Sequence, residues 1–208
     1  MMPYGPKNPA ENARWETPSK RMMVFVDGEN LVYRYQNMVN KGYIPRDDLA
    51  HVKDTYVWGH SFPVLARNHE ILRLTYYTYV VGDENRVDQI RDELKEQNFS
   101  KHTASLLPNQ VSPCVFKKDR RSRSGKGVDI QMCVDILGHV YRGNVDAILI
   151  ISGDGDFEPL IEEIKRVGVQ VYLSALSDGL NPNLSRIVDQ FYCLDGTTWK
   201  ERPRNDEP

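Results

Sequence analysis

Four aspartates stand where the chain can turn them toward one another. Asp27 closes the apolar run MMVFV and is followed by Gly28. Asp154 and Asp156 alternate with glycines in SGDGD, directly after AILII. Asp129 opens the stretch DIQMCVDIL. Carboxylates held close together repel and raise each other's pKa, so a cluster needs compensation, and a divalent cation supplies it. Mg²⁺ and Mn²⁺ are hard ions that take oxygen ligands, and Mg²⁺ keeps several waters. One or two such ions activate water and stabilise the leaving oxygen of a phosphodiester. Gly28, Gly153 and Gly155 let the backbone turn sharply beside these ligands. Each aspartate taken singly has a plainer use. Asp-Gly is turn chemistry, and Asp129 and Asp156 suit helix N-caps, the latter ahead of Phe-Glu-Pro. The set argues for a shared acidic site, because it comes from three separated segments.

A phosphodiester substrate would be polyanionic, whereas the 208-residue chain carries a net charge of −2. The distribution of charge eases this conflict. Residues 117–126 read KKDRRSRSGK, a local charge of +5, which leaves −7 for the rest. The block leads straight into Asp129. Arg120, Arg121, Arg123 and Lys126 can hold phosphates while the aspartates hold metal; such contacts position a backbone without reading its sequence. The plain alternative is a solvated loop.

Alternating strand and helix patterns must position these residues. Met22–Val26 reads as a buried strand, Glu29–Asn40 as a helix ended by Lys41-Gly42. After Pro45, the spacing of Leu49, Val52 and Tyr56 predicts a helix over 46–57, followed by a loop over 58–69. Ile71–Val81 is β-branched and aromatic, a strand. Glu84–Asn98 is an amphipathic helix, and Val111–Phe116 a weaker strand. Val128–Tyr141 reads as a largely buried helix with Ile130, Cys133, Val134 and Leu137 on one face, widened by Met132, Ile136 and Val140. Ala147–Ile151 is the clearest core strand. A helix over Phe157–Val167, a strand Val169–Leu173, a short helix near Asn183–Val188 and a strand Phe191–Leu194 follow. This alternation implies a parallel sheet covered on both faces, with right-handed crossovers. The functional cleft of an open α/β sheet lies beyond the carboxyl ends of its strands, where Asp27 and the SGDGD turn fall.

The remaining features are quieter. Hydrophobic residues make up 40% and charged residues 27%, enough for a real core. No run approaches a membrane span, and the start lacks the apolar core of a signal peptide, so cytoplasm is the expected compartment. Cys114, Cys133 and Cys193 lack zinc spacing and read as small buried hydrophobes, with catalytic and disulfide roles as alternatives. The five histidines show no ligand spacing. Tyr76, Tyr77 and Tyr79 read as strand packing, with base stacking as the alternative. The Asp154–Asp156 pair also suggests a Toprim-type site, but there the first strand should end in Glu, and here it ends in Asp27.

VFVDGENL (24–31), KGVDIQMCVDIL (126–137) and LISGDGDFEPLIEEIKRVGVQVYL (150–173) closely resemble the NYN domain, in its LabA-like branch, of the PIN-like nuclease superfamily. The resemblance implies a three-layer α/β/α sandwich around a mostly parallel, Rossmann-like sheet, over residues 21–195. A flexible arm (1–20) would precede it and a tail (196–208) follow. It implies a nuclease site for Mg²⁺ or Mn²⁺, with Asp27, Asp129, Asp154 and Asp156 matching the family's acidic residues. Asn30 matches the D-x-x-N opening, where it would orient Asp27 or a metal-bound water. Ser152 and Lys126 would support the site or touch phosphate. Many PIN-like nucleases add an early-helix Glu, for which Glu29 and Glu84 are the candidates. The resulting expectation is a metal-dependent ribonuclease cutting RNA, with DNA as a possible substrate. The alternative is an RNA-binding or regulatory module with the same acidic pocket and little or no turnover.

Overall fold

The structure, a computed structural model, describes residues 19–99, 110–118 and 126–200, with the side chain of Lys126 excluded. Arg120, Arg121 and Arg123, the arm over 1–18 and the tail over 201–208 lie outside the described residues.

β1 (Arg21–Asp27) is followed by α1 (Gly28–Asn40), a small hairpin of β2 (Ala50–Val52) and β3 (Tyr56–Trp58), and the long β4 (Glu70–Val81). α2 (Glu84–Lys95), β5 (Ser112–Lys118), α3 (Lys126–Tyr141) and β6 (Ala147–Ile151) come next. A 3₁₀ turn at Gly155–Phe157 leads into α4 (Glu158–Arg166), then β7 (Gln170–Ala175), α5 (Leu184–Ile187), β8 (Gln190–Cys193) and α6 (Asp195–Thr198).

Six strands form one sheet in the order β5-β4-β1-β6-β7-β8. All five pairings are parallel. With the hairpin set aside, this is the 3-2-1-4-5-6 order of dinucleotide-type sheets. β6 is buried at every position and β1 at all but its first, as expected where both faces are covered. Alternate residues feed two cores. Val24 and Val26 join Leu149 and Ile151 beneath α1, α2 and the hairpin. Phe25, Ile148 and Ile150 join the residues of α3 and α4 on the other face. The α/β/α sandwich expected from the sequence is therefore present.

Two local expectations are corrected. The helix over 46–57 is a hairpin instead. Tyr56, Val57 and Trp58 are aromatic and β-branched, and all three are buried. Asp54 takes the left-handed conformation (φ 54°) at the tip, which an Asx residue tolerates. The Tyr76 hydroxyl accepts from Val57 N and donates to Val57 O (3.2 and 3.1 Å), docking the hairpin on β4. Apolar positions also surround α3, so periodicity alone could not choose its inner side. Val128, Met132, Ile136 and Val140 face the sheet, while Ile130 and Val134 are 63% and 57% exposed. Beyond β8, Trp199 is buried and stacks on Tyr35 (centroids 5.2 Å apart).

Candidate functional site

β1 and β6 are neighbours, yet the helices that follow them pack on opposite faces of the sheet. Such a divergence opens a crevice at the carboxyl ends of the two strands. Asp27 ends β1, and Ser152–Asp156 follows β6, so these segments flank the crevice.

Asp27 is 2% exposed. Its Oδ1 accepts from Asn30 N at 3.0 Å, capping α1, and its Oδ2 accepts from Ser152 Oγ at 2.8 Å. Ser152 Oγ in turn accepts from Asp154 N at 3.1 Å. The Asn30 side chain accepts from Gly153 N at 3.1 Å, so it pins the SGDGD turn to α1 while its own amide holds Asp27. Asp154 Oδ1 accepts from Asp156 N at 3.0 Å and caps the 3₁₀ turn. The capping role expected of Asp156 thus falls to Asp154, because the 3₁₀ turn begins the helical path earlier. Asp156 is exposed. A Cβ at Gly155 would sit 2.1 Å from Asn181 Nδ2, so any larger residue there would have to displace the Asn181 side chain of the loop after β7.

Asp27, Asp129 and Asp154 line one cleft of about 410 Å³, together with Glu29 from α1. Asp156 borders an adjoining hollow with Asp129 and Asp154. Burial pushes the Asp27 pKa up to about 7; the Asn30 and Ser152 hydrogen bonds pull it down, and Asp129 and Asp154 push it up. Asp129 is raised by burial first, then by Glu29, Asp154 and Asp156. Asp27 and Asp129 therefore both feel the negative charge of neighbouring carboxylates.

Among the described residues, no three His, Cys, Asp or Glu side chains close on one point as a ready-made metal cage. The donors are nonetheless hard oxygens under mutual repulsion around an open cleft. Mg²⁺ sites commonly use one or two carboxylates and keep several waters, so this donor set fits a hydrated Mg²⁺ or Mn²⁺.

Of the two early-helix candidates, Glu29 lines the cleft, whereas Glu84 is exposed and pairs with Lys117 at 2.8 Å. The sequence reading missed Lys118 as a site residue. Its Nζ lies 3.7 Å over the Tyr79 ring and 3.9 Å from Glu29 Oε1. Lys118 belongs to the basic block, and the β4–β5 register, which sets Val81 opposite Lys118, carries it to the site. Arg34 and Tyr33 also line the cleft and were not anticipated. The signal was helical spacing, since Tyr33 and Arg34 stand three and four residues beyond Asn30. Cys114, Cys133 and Cys193 are half-buried free thiols.

A short segment is 33% identical, over 66 residues, to the uncharacterized protein MJ0482 of Methanocaldococcus jannaschii. The match takes in 32% of this chain and 28% of that protein's length. The fold resembles a crystal structure of a protein of unknown function, VPA0982, from Vibrio parahaemolyticus. Its TM-score is 0.56 at 16% identity, over 88% of this chain and 97% of that one, a likeness of fold alone. The model of the NYN domain matches residues 21–195, which span the whole sheet and every cleft residue named above, and the chain therefore belongs to the NYN domain family.

Proposed function

We propose that this chain is a metal-dependent ribonuclease of the LabA-like branch, acting in the cytoplasm on RNA with Mg²⁺ or Mn²⁺. The observation that carries this reading is a single cleft at the β1/β6 switch point lined by Asp27, Glu29, Asp129 and Asp154. A bound divalent ion would lower the pKa of water and offset charge on the phosphate. Asp27, Asp129 and Asp154 would hold it, with Asp156 at the rim. The chain's own groups set the stage for that ion. Ser152 and the Asn30 amide fix Asp27 in one orientation, and Asn30 Oδ1 fixes the turn that carries Asp154. Lys118, tethered by Glu29 and Tyr79, brings a cation to the cleft edge. Arg120, Arg121, Arg123 and Lys126 would add phosphate contacts. Water attacks phosphorus, the P–O3′ bond breaks, and the 3′-oxygen takes a proton, leaving 5′-phosphate and 3′-hydroxyl ends.

Purified protein should cleave RNA with Mg²⁺ or Mn²⁺ and stop on addition of EDTA. Asp154→Asn/Asp156→Asn should abolish cleavage; unchanged activity in that double variant would sink the reading. A DNA oligonucleotide in parallel tests the substrate's sugar. A second reading, an RNA-binding module without turnover, is favoured by one observation: the described carboxylates do not close into a cage. It predicts RNA binding lost on Arg120→Glu/Arg121→Glu/Arg123→Glu, with no cleavage under any metal.

A further inference from the structure

The cleft is lined by carboxylates; Arg34 is the basic residue among its described lining residues, and Lys118 stands at its edge beside Glu29 and Tyr79. Its guanidinium is oriented by packing rather than by hydrogen bonds. It lies so tightly on Gly179 that a Cβ there would sit 2.0 Å from Cζ, and Gly179 has φ +64°, a conformation that favours glycine. The nearest carboxylate, Asp178, is 3.8 Å from Nη1, beyond hydrogen-bonding reach. Lys41 approaches Asp178 more closely. Arg34 Nε is shielded from solvent and has no hydrogen-bond partner among the described residues. The packing on Gly179 and the loose ion pair with Asp178 thus hold the guanidinium in place, while no hydrogen bond to another described residue occupies its outer edge, the edge a phosphate would meet.

Tyr33 stands beside it. Its ring is 57% exposed, lines the same cleft, and has Arg34 Cζ 5.2 Å from its centroid. An exposed aromatic face next to a guanidinium is the pairing on which unstacked bases settle. Arg34 follows the N-cap Asp27 by two turns of α1, roughly 10 Å along the axis.

We propose that Arg34 grips a backbone phosphate flanking the one at the carboxylates, and that Tyr33 stacks on the adjoining base, so that the substrate is single-stranded RNA. The assignment rests on the ribonuclease reading for the identity of the ligand, but its test is binding. Labelled single-stranded RNA is titrated by fluorescence anisotropy, with Ca²⁺ replacing Mg²⁺, over a series of salt concentrations. Arg34→Ala should weaken binding about tenfold and reduce the slope of log K against log salt by about 0.7, the share of one phosphate on a single strand. Arg34→Met keeps an aliphatic stem against Gly179 and should do the same, which covers a folding failure of the alanine variant. Tyr33→Ala should weaken binding between about 5- and 100-fold with the slope unchanged, and Tyr33→Phe should match wild type. An RNA with one abasic position should erase the Tyr33 effect, and a duplex of the same sequence should bind at least tenfold more weakly.

An unchanged salt slope in both Arg34 variants overturns the clamp. Equal affinity for duplex, or a Tyr33→Ala loss that is the same on abasic RNA, overturns the stacking assignment. RNA binding with these signatures but no cleavage by wild type in Mg²⁺ or Mn²⁺ would remove the nuclease reading and leave this subsite standing. Cleavage with unperturbed Arg34 variants would do the reverse.

Discussion

At the amino edge of the sheet, Asp146 lies between the first residue of β1 and the start of β6, and Arg21 occupies both its oxygens. Arg21 N and Nε donate to Oδ2 at 2.9 and 3.1 Å, and Nη2 donates to Oδ1 at 2.8 Å. These hydrogen bonds hold the Asp146 carboxyl down at about 2. At the carboxyl edge of the same two strands, Asp27 is buried with no cationic partner among the described residues, and its pKa is pushed the other way, to about 7. One residue type on one pair of strands is thus resolved at one end and left in conflict at the other. Glycines at 153 and 155, a hydroxyl and an amide hold the conflict in place, so it is built rather than accidental. Perturbed carboxyls gathered in a cleft make a functional-site candidate, whereas a two-pronged surface pair is ordinary scaffolding.

The sharpest way to break this contrast is Asp27→Asn. If the carboxyl edge trades stability for function, cleavage should fall by at least about 10²-fold, the scale on which one preorganised electrostatic group acts. The metal-free protein should at the same time become more stable at pH 8. A folded-state pKa near 7 stands above the roughly 3.9 of an unfolded aspartate, so between those values the folded state holds the extra proton. Asp27 therefore supports the fold below about pH 4, and that support is lost as pH rises through 7. The loss amounts to about 4 kcal/mol, or roughly 10 °C in Tm for a chain of this size. Thermal unfolding in EDTA from pH 5 to 8 should show this slope in wild type and its absence in Asp27→Asn, and Mg²⁺ or Mn²⁺ should flatten the wild-type curve. A flat metal-free curve would mean that the aspartate is not in conflict at all.

A smaller effect is expected one bond away. Ser152→Ala removes the hydroxyl that donates to Asp27 and accepts from Asp154 N. Loss of that donor should raise the Asp27 pKa further and move the acid limb of the pH–rate profile upward by about one unit or less. Activity at neutral pH should drop about tenfold, the lower end for groups that orient a metal ligand. An unmoved pH profile with a uniformly lower rate would show that Ser152 acts on the turn and not on Asp27.

How much of this contrast could be read from the sequence depends on what kind of interaction sets each part. The strands were legible because a parallel sheet demands continuous apolar runs, and AILII is buried throughout. Asp27 and the SGDGD turn were legible because strand ends fix where such residues fall. The hairpin was not, since Leu49, Val52 and Tyr56 satisfy helical spacing by chance while Tyr76, distant in sequence, decides the outcome by bonding Val57. Helix α3 misled for a related reason: apolar residues surround it, and only packing on Phe25, Ile148 and Ile150 selects Met132 over Ile130 as the inner residue. Lys118 and Arg34 went unseen because their roles depend on register and on a neighbouring loop. The amino-edge pair was equally invisible, as 125 residues separate Arg21 from Asp146.

That pair supplies the smallest expected effect and the control for the whole contrast. Both partners are nearly half exposed, at 45% and 44%. Exposed ion pairs contribute little to stability, and two-pronged geometry does not take this one out of that class. Arg21→Gln should therefore lower Tm by no more than about 4 °C and leave cleavage and RNA affinity untouched. Its pH signature should be opposite to that of Asp27. A folded-state pKa near 2, below the unfolded value, gives stability that is present above about pH 4 and lost as pH falls toward 2. Wild type and Arg21→Gln should consequently differ in unfolding temperature at pH 6 and converge on acidification, whereas wild type and Asp27→Asn should diverge toward alkaline pH. If Arg21→Gln instead reduced cleavage, the two edges of the sheet would be coupled through β1, and the division of scaffold from site would have to be abandoned.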